Sequence, residues 1–438
     1  MKKSLFAVAA MSAIAGAAQA QSSVTVYGVV DAGFIGSNAT AYSKTGGNAG
    51  TTGGNVKTTT SQFGQGAEST SRLGFKGMED LGGGTSAFFT VEAGLTPANA
   101  NLSGGTAVDA VQGTSTDSGS ALNNRQSFVG LKKNGLGQFA FGRQYTPIFD
   151  EAAKTDPTAY MNMTGGVIYV GGNQSGAESG QSTNIGFTNR ASNALTAASD
   201  TFAGFQVKGM YAMNNSNSTQ VTSSSGGNNN WNGWALGANY TWQKLYVTAN
   251  YQSFSVKASG VDSFAAVSLN IGGANSPVYA QSAAAITTTA GLLAFTNLAD
   301  KQQYVGATYD FGILKAYGQW IGRKVTQNSG LTVSGTATSS STQFNRNAQQ
   351  IGVRSYITPT IEAWASIGNG RYKGADSAAG VAPATVNFTA YQIGSNYYLS
   401  KRTNLYAAFG STTSTSASSV AGSGTNGNQY AVGARHTF

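Results

Sequence analysis

Side chains able to make and break bonds are scarce in this chain. It has one histidine, His436, and no cysteine among 438 residues. A metal hydrolase of the HExxH kind needs two histidines and is excluded. A Ser-His-Asp enzyme would have to use His436. Such a base works only with an orienting partner and a nucleophile within hydrogen-bond reach. His436 is therefore read as a packing or recognition residue. Without cysteine there is no disulfide framework and no thiolate metal site. No Walker loop is present, nor a GxGxxG that follows a strand and opens a helix. The basic residues are scattered rather than gathered on one helix, so no nucleic-acid module is visible. No catalytic residue, cofactor or metal is expected, and the chain is not read as an enzyme.

The last ten residues, QYAVGARHTF, say more about the elements that must position the remaining charges. Tyr430, Val432, Ala434, His436 and Phe438 fall on one face of a two-residue repeat. Gln429, Ala431, Gly433, Arg435 and Thr437 fall on the other. A terminal alternating strand ending in Phe, in an exported chain, suits a membrane barrel with lipid outside and water inside. Export is predicted from residues 1–20: Lys2 and Lys3, an apolar stretch Leu5 to Ala18, and the small-residue site Ala18-Gln19-Ala20. That stretch is too short and too Ala-rich to span a bilayer as a helix, and no later segment approaches the length needed. Mean hydropathy is −0.17. A barrel can afford that value, because only alternate strand residues meet lipid. Glycine supplies 59 residues and aromatics 11%, while Glu and Lys are few, an all-β composition. The formal charge of +9 could bias a pore toward anions, although net charge says little about a local field.

Connections sort by length. Short turns are predicted at Glu79–Gly84, Asn134–Gly137, Asp200–Gly204, Trp242–Lys244, Asp310–Gly312, Thr358–Thr360 and Leu399–Thr403. Long polar connections are predicted near 36–68, 95–123, 146–184, 214–230, 257–300, 324–346, 370–388 and 414–427. Seven short turns interleaved with eight long loops require sixteen strands, with both chain ends on the short-turn side. The fold class is thus all-β, a transmembrane antiparallel barrel, with residues 21–438 as one domain. Leu245, Val247, Ala249 and Tyr251 alternate cleanly with Tyr246, Thr248, Asn250 and Gln252. Arg125–Leu131 instead mixes apolar residues on both faces, and Arg143 is in phase with Phe139 and Phe141. Such strands point to a face that meets protein, either a neighbouring subunit or an inserted loop. Aromatics near strand ends, such as Tyr309, Phe311, Tyr397 and Tyr398, read as interfacial girdles or as ordinary strand formers.

Several blocks resemble the general porins of β-proteobacteria. They are SSVTVYGVVDAGF (22–34), STSRLGFKGMEDLGGGTSAFFTVEAG (69–94), RQSFVGL (125–131), FGRQYTP (141–147) and the terminal VGARHTF. The resemblance covers the first third of the chain and its C-terminus; between them strand patterning carries over better than residues. It implies a sixteen-stranded barrel that assembles as a homotrimer, with a third loop folded inward to constrict each pore. On that basis Arg72 and Arg125 match arginines of the constriction's basic wall, Arg190 matches a third, and Lys76 extends the track on Arg72's face. The facing acids would be Asp150, Glu151 and Asp156 on the third loop, with Glu178 on its return. Resembling barrels end similarly, which makes Phe438 a signal for the barrel assembly machinery. Outer-membrane lipid and lipopolysaccharide are the other expected partners. The segment 278–299 departs from expectation, being apolar for an exposed loop.

The leading reading is a passive channel for small hydrophilic solutes and ions in the outer membrane, with a preference for anions. An adhesin or structural barrel with a closed lumen is one alternative. A substrate-specific channel with a sugar track is another, and Trp364, Tyr246 and Tyr27 are few for it.

Overall fold

The computed structural model describes residues 23–43, 55–98, 123–170, 186–218, 227–260, 293–333, 336–376, 381–416 and 423–438. The predicted leader 1–20, Glu178 and residues 278–292 of the apolar stretch lie outside these.

Period-two patterning is realised as strand segments β1 (Ser23–Ser43), β2 (Asn55–Gln65), β3 (Arg72–Gly82), β4 (Thr85–Gly94), β5 (Asn123–Lys133) and β6 (Gly137–Tyr145). One helix, α1 (Pro147–Thr155), follows. Then come β7 (Arg190–Ser199), β8 (Phe205–Ser218), β9 (Gly227–Trp242), β10 (Leu245–Gly260), β11 (Leu293–Asp310) and β12 (Lys315–Val333). The last are β13 (Thr336–Thr358), β14 (Ile361–Asp376), β15 (Val381–Tyr398), β16 (Thr403–Ser416) and β17 (Ser423–Thr437).

Neighbours pair antiparallel, and β17 returns to β1 with Val29 opposite Thr437 and Ser43 opposite Ser423. β2 and β3 are two halves of one stave. β1 pairs first with β2, from Tyr42–Asn55 to Ala32–Gln65, and then with β3, from Val29–Arg72 to Ser23–Met78. The described segments thus form a closed barrel of sixteen staves, the number the sequence predicts. Closure leaves no sheet edge unpaired, which is how a chain without disulfides can be held. At the seam, Gly28 and Phe438 exchange both backbone hydrogen bonds, at 3.0 and 3.1 Å. The Phe438 ring lies where a side chain on residue 28 would be, so glycine is required there.

The two strand faces have opposite surroundings. Ile351, Val353, Ile367, Ile393, Val432 and Tyr430 are exposed on the outside. Gln252, Gln302, Gln350, Asn250 and Gln392, on the other phase of their strands, are buried inside. Apolar outside and polar inside is the reverse of a soluble protein and suits a wall in lipid.

Two local expectations change. Several predicted long connections are partly ladder: the described residues of 324–346 continue the β12–β13 pairing to Val333 opposite Thr336, and β11 already begins at Leu293. Ser, Thr, Asn and Gly compose these stretches, but ladder bonds belong to the backbone and persist above the apolar band. The stretch Arg125–Leu131 opens on a bulge. Glu92 faces Gln126 while Ala93 faces Asn124, leaving Arg125 as the extra residue. A second irregularity skips Arg143 between Gly142 and Gln144. Bulges re-aim side chains, which accounts for the phases of Arg125 and Arg143.

Candidate functional site

A Thr146-Pro147 step starts α1: the Thr146 hydroxyl caps the Phe149 N–H at 3.3 Å, and proline needs no donor in the first turn. From α1 onward the segment binds a row of buried, inward-phase glutamines. Gln319 of β12 donates to the Ala152 carbonyl at 3.3 Å, and Gln350 of β13 accepts from the Val167 N–H at 3.1 Å. Gln392 of β15 donates to the Met163 carbonyl at 2.9 Å, and Gln429 of β17 accepts from the Thr164 N–H at 2.8 Å. Behind α1, Gln302 accepts from the Thr188 N–H at 2.7 Å and Gln252 donates to Gln302 at 2.7 Å. Arg354 donates to the Pro157 carbonyl at 2.9 Å, and Arg346 to that of Val167. Glutamine suits this work because one side chain offers both a donor and an acceptor.

The segment's far contact is the break between β2 and β3. Residues 66–71 leave the ladder, and the Asp31 carboxylate accepts from the N–H groups of Glu68 (2.9 Å) and Ser69 (2.7 Å). Asn162 then donates from its backbone to the Ala67 carbonyl at 3.0 Å and from its side chain to Gly66 at 2.8 Å.

Arg72, Arg125 and Arg190 are brought together here. Glu92 of β4 sits among them, 2.6 Å from Arg125 Nε and 3.6 Å from Arg72 Nε. Tyr145 accepts from Arg125 at 2.9 Å and from Arg190 at 3.4 Å, and Tyr27 donates to Glu92 at 3.2 Å. The Arg190 guanidinium lies over the Tyr145 ring, 4.9 Å from its centroid. Tyr145 stacks on Phe149 at 4.3 Å, Phe149 meets Tyr160 at 4.7 Å, and Tyr160 meets Tyr169 at 4.5 Å. Ala159 and Tyr160 both take positive φ, +53° and +63°, conformations a bulky residue seldom adopts without being held. Together these groups enclose a cavity of about 520 Å³, which Arg435 and Phe438 also line.

The other predicted residues lie apart from that cluster. Lys76 is exposed further along β3, its Nζ 5.4 Å from the Tyr27 ring centroid. Asp150 and Glu151 turn to Lys208 of β8, at 3.6 and 2.8 Å. Glu151 also accepts from Lys154 at 2.9 Å and from Tyr246. Burial raises its carboxyl pKa, but the Lys208 charge and these hydrogen bonds outweigh burial and hold it below the ordinary glutamate value. Asp156 accepts from the N–H groups of Thr158 (3.0 Å) and Tyr160 (3.1 Å), fixing the left-handed turn. Burial pushes the Asp156 carboxyl above its ordinary value despite those bonds. Sequence reasoning missed Glu92, Tyr145, Lys208 and Arg435. Glu92 carried one available signal, a lone charge in the apolar run FFTVEAG.

A closed barrel with an apolar exterior and an arginine-lined interior defines an outer-membrane β-barrel protein. The chain belongs to the Gram-negative porin family, whose profile matches residues 7–417. It is 39% identical over 146 residues to an outer membrane porin protein of Bordetella pertussis, covering 33% of this chain and 34% of that one. Outer membrane porin protein 32 of Delftia acidovorans is 32% identical over 215 residues, 48% of this chain and 50% of its own. The matches thus span between a third and a half of these relatives' lengths. In fold it is similar to an anion-selective porin from Comamonas acidovorans, with TM-score 0.50 and 20% identity over 95% of this chain and 100% of that one. Salmonella typhi OmpF gives TM-score 0.50 at 15% identity, covering 95% and 97%. The protein is a porin-family barrel of the outer membrane, in a family of channels rather than enzymes.

Proposed function

We propose that the protein is a passive diffusion channel for small hydrophilic solutes and ions, with a preference for anions. The observation that carries this reading is the lining of the 520 Å³ cavity: Arg72, Arg125 and Arg190 gather on the one acidic side chain in that lining, Glu92, and Arg435 beside them has Glu68 at 3.8 Å. Guanidinium groups stay charged at any working pH, and a narrow opening with excess positive charge concentrates anions. Residues 146–170 act as the third loop, folded inward to narrow the lumen, supported by their hydrogen bonds to the inward-phase glutamines. Asp150, Glu151 and Asp156 then serve to seat that loop, while Lys76 extends the basic track toward the short-turn end.

The mature chain begins at Gln21 after removal of the leader and forms one domain that works as a homotrimer. Phe438 is the residue the assembly machinery reads, and lipopolysaccharide is the lipid partner. The deciding experiment is the reversal potential of purified protein in a planar bilayer under a KCl gradient. Wild type should favour chloride, and Arg72→Ala with Arg125→Ala should lose much of that preference. Unchanged selectivity in a folded double variant would overturn the assignment.

A further inference from the structure

Two phenylalanines break the polar-inside pattern. On β4, Glu92, Thr90 and Phe88 share the inward phase, while Phe89 and Val91 are exposed outside. On β5, Gln126 and Phe128 share it, with Val129 and Leu131 exposed outside. The Phe88 and Phe128 rings meet edge to face, their centroids 6.3 Å apart and their planes at 77°. Any side chain on Gly130 would come within 2.6 Å of the Phe88 ring, so glycine lets that ring lie flat on the wall. Both rings stand on the short-turn side of the arginine cluster, because Phe88 is nearer than Glu92 to the turn that ends at Thr85. Aromatic surface left in water is a cost that the apolar face of a solute would remove.

The two rings line a cavity of about 160 Å³ beside α1, together with Gln126, Gln138, Asp150 and Lys208. Its polar groups divide into those already occupied and those left open. Gln144 donates to the Ala140 and Ala194 carbonyls at 3.1 and 3.3 Å and accepts from the Thr196 hydroxyl at 2.6 Å. Gln126 and Gln138, by contrast, have no hydrogen-bond partner among the described residues. The charges close on themselves. Lys208 lies 3.6 Å from Asp150 and 2.8 Å from Glu151, and Lys154 lies 2.9 Å from Glu151. Two ammonium groups against two carboxylates leave no net charge to hold an ion. The Asp150 side chain stays 41% exposed, so its carboxylate can still accept a hydroxyl proton.

We propose that this cavity is a binding subsite for a neutral pyranose, a monosaccharide ring. The C–H face of the sugar lies against Phe88 and Phe128, and its hydroxyls meet the open amides of Gln126 and Gln138 and the Asp150 carboxylate. A hydroxyl both donates and accepts, which is what a primary amide answers with its own donor and acceptor. The volume equals about five waters at ~30 Å³ each, room for one six-membered ring with its hydroxyls. An apolar surface with a few placed polar groups is the usual make-up of a small-molecule site. The subsite rests on the diffusion-channel reading for its access, and not on the anion preference.

The test pairs saturation-transfer NMR of full-length protein and D-glucose, in a detergent without a sugar head group, with ion-current titration in a planar bilayer. Wild type should pass saturation most strongly to the axial ring protons of the β anomer, which form its apolar face. Ion current should fall with glucose along a saturating curve. Phe88→Ser with Phe128→Ser should raise the half-saturating concentration more than about fivefold. Gln138→Leu, at an exposed position, should raise it in the same direction while folding as wild type by heat-modifiable migration. The reversal potential should keep its wild-type value in both. Mannitol, an open chain of hydroxyls with no ring face, should neither saturate nor compete. Current that falls only with bulk conductivity, an equal response to mannitol, or unchanged glucose binding in the variants would overturn the subsite and leave the channel standing. Glucose binding without any ion conductance would uphold the subsite and overturn the diffusion reading instead.

Discussion

The backbone N–H of Thr164 donates to Oε1 of Gln429 at 2.8 Å, joining residues 265 positions apart in sequence. The partner is one of a series of inward-facing glutamines on β10, β11, β12, β13, β15 and β17. Each sits on the polar phase of its strand and is buried. The wall thereby supplies backbone-like partners to a segment that has left the sheet, which satisfies polar groups that would otherwise be stranded.

Gln350 tests this arrangement most directly, since it serves both the Val167 N–H and Asp156. Gln350→Leu strands a buried donor, which should cost about 1–3 kcal/mol. The expected result is a lower urea midpoint and noisier single-channel current. A variant with wild-type stability and quiet current would show that the segment is held elsewhere.

Glu92 is the one carboxylate among the clustered arginines, within 3.6 Å of both Arg72 and Arg125. Glu92→Gln should shift the reversal potential further toward chloride and destabilise the barrel, because removing one partner of a buried pair typically costs about 3–5 kcal/mol. An unshifted potential in folded protein would place the selectivity-determining field away from this cluster.

Two loop carboxyls should respond to pH in opposite senses. Glu151 is held below its ordinary value, so its stabilising contribution is present above about pH 4.3, the unfolded value, and is lost as pH falls through the folded one. Asp156 is pushed up, so its contribution is fully present in acid and is lost as pH rises. Thermal melts across pH should therefore show Glu151→Gln losing stability mainly at neutral pH, with the gap to wild type closing in acid. Asp156→Asn should reduce the stability that wild type loses between mildly acid and alkaline pH. The reverse pattern would contradict the contacts described for the two groups.

Gly28→Val places a branched side chain where the Phe438 ring and the Arg72 carbonyl lie. The yield of folded barrel, read as heat-modifiable migration on a gel, should fall sharply. Phe438→Ala should fold in detergent, since it opens space at the seam, yet accumulate poorly in the outer membrane of cells. Normal accumulation would remove Phe438 as the assembly signal.

Much of the barrel was legible in the linear sequence because its physics is local. Lipid on one side and water on the other impose a two-residue period, so Leu245 to Gln252 and Gln429 to Phe438 declare their faces unaided. Turn chemistry at Asn134–Gly137 and Asp310–Gly312 then counts the staves. The ladders through 324–346 were hidden because backbone pairing leaves no mark on side-chain composition once the strand clears lipid. The site was legible only in part. Arg72, Arg125 and Arg190 could be named through the resemblance, but their convergence on Glu92 and Tyr145 depends on a bulge at Arg125 and a break at 66–71. Asp150 and Glu151 face Lys208 because α1 is oriented by its cap and by distant glutamines. Sequence determined which faces exist, since that follows from nearest neighbours and solvent. Tertiary structure decided which charges meet, because closing the barrel sets residues from opposite ends of the chain within hydrogen-bond reach.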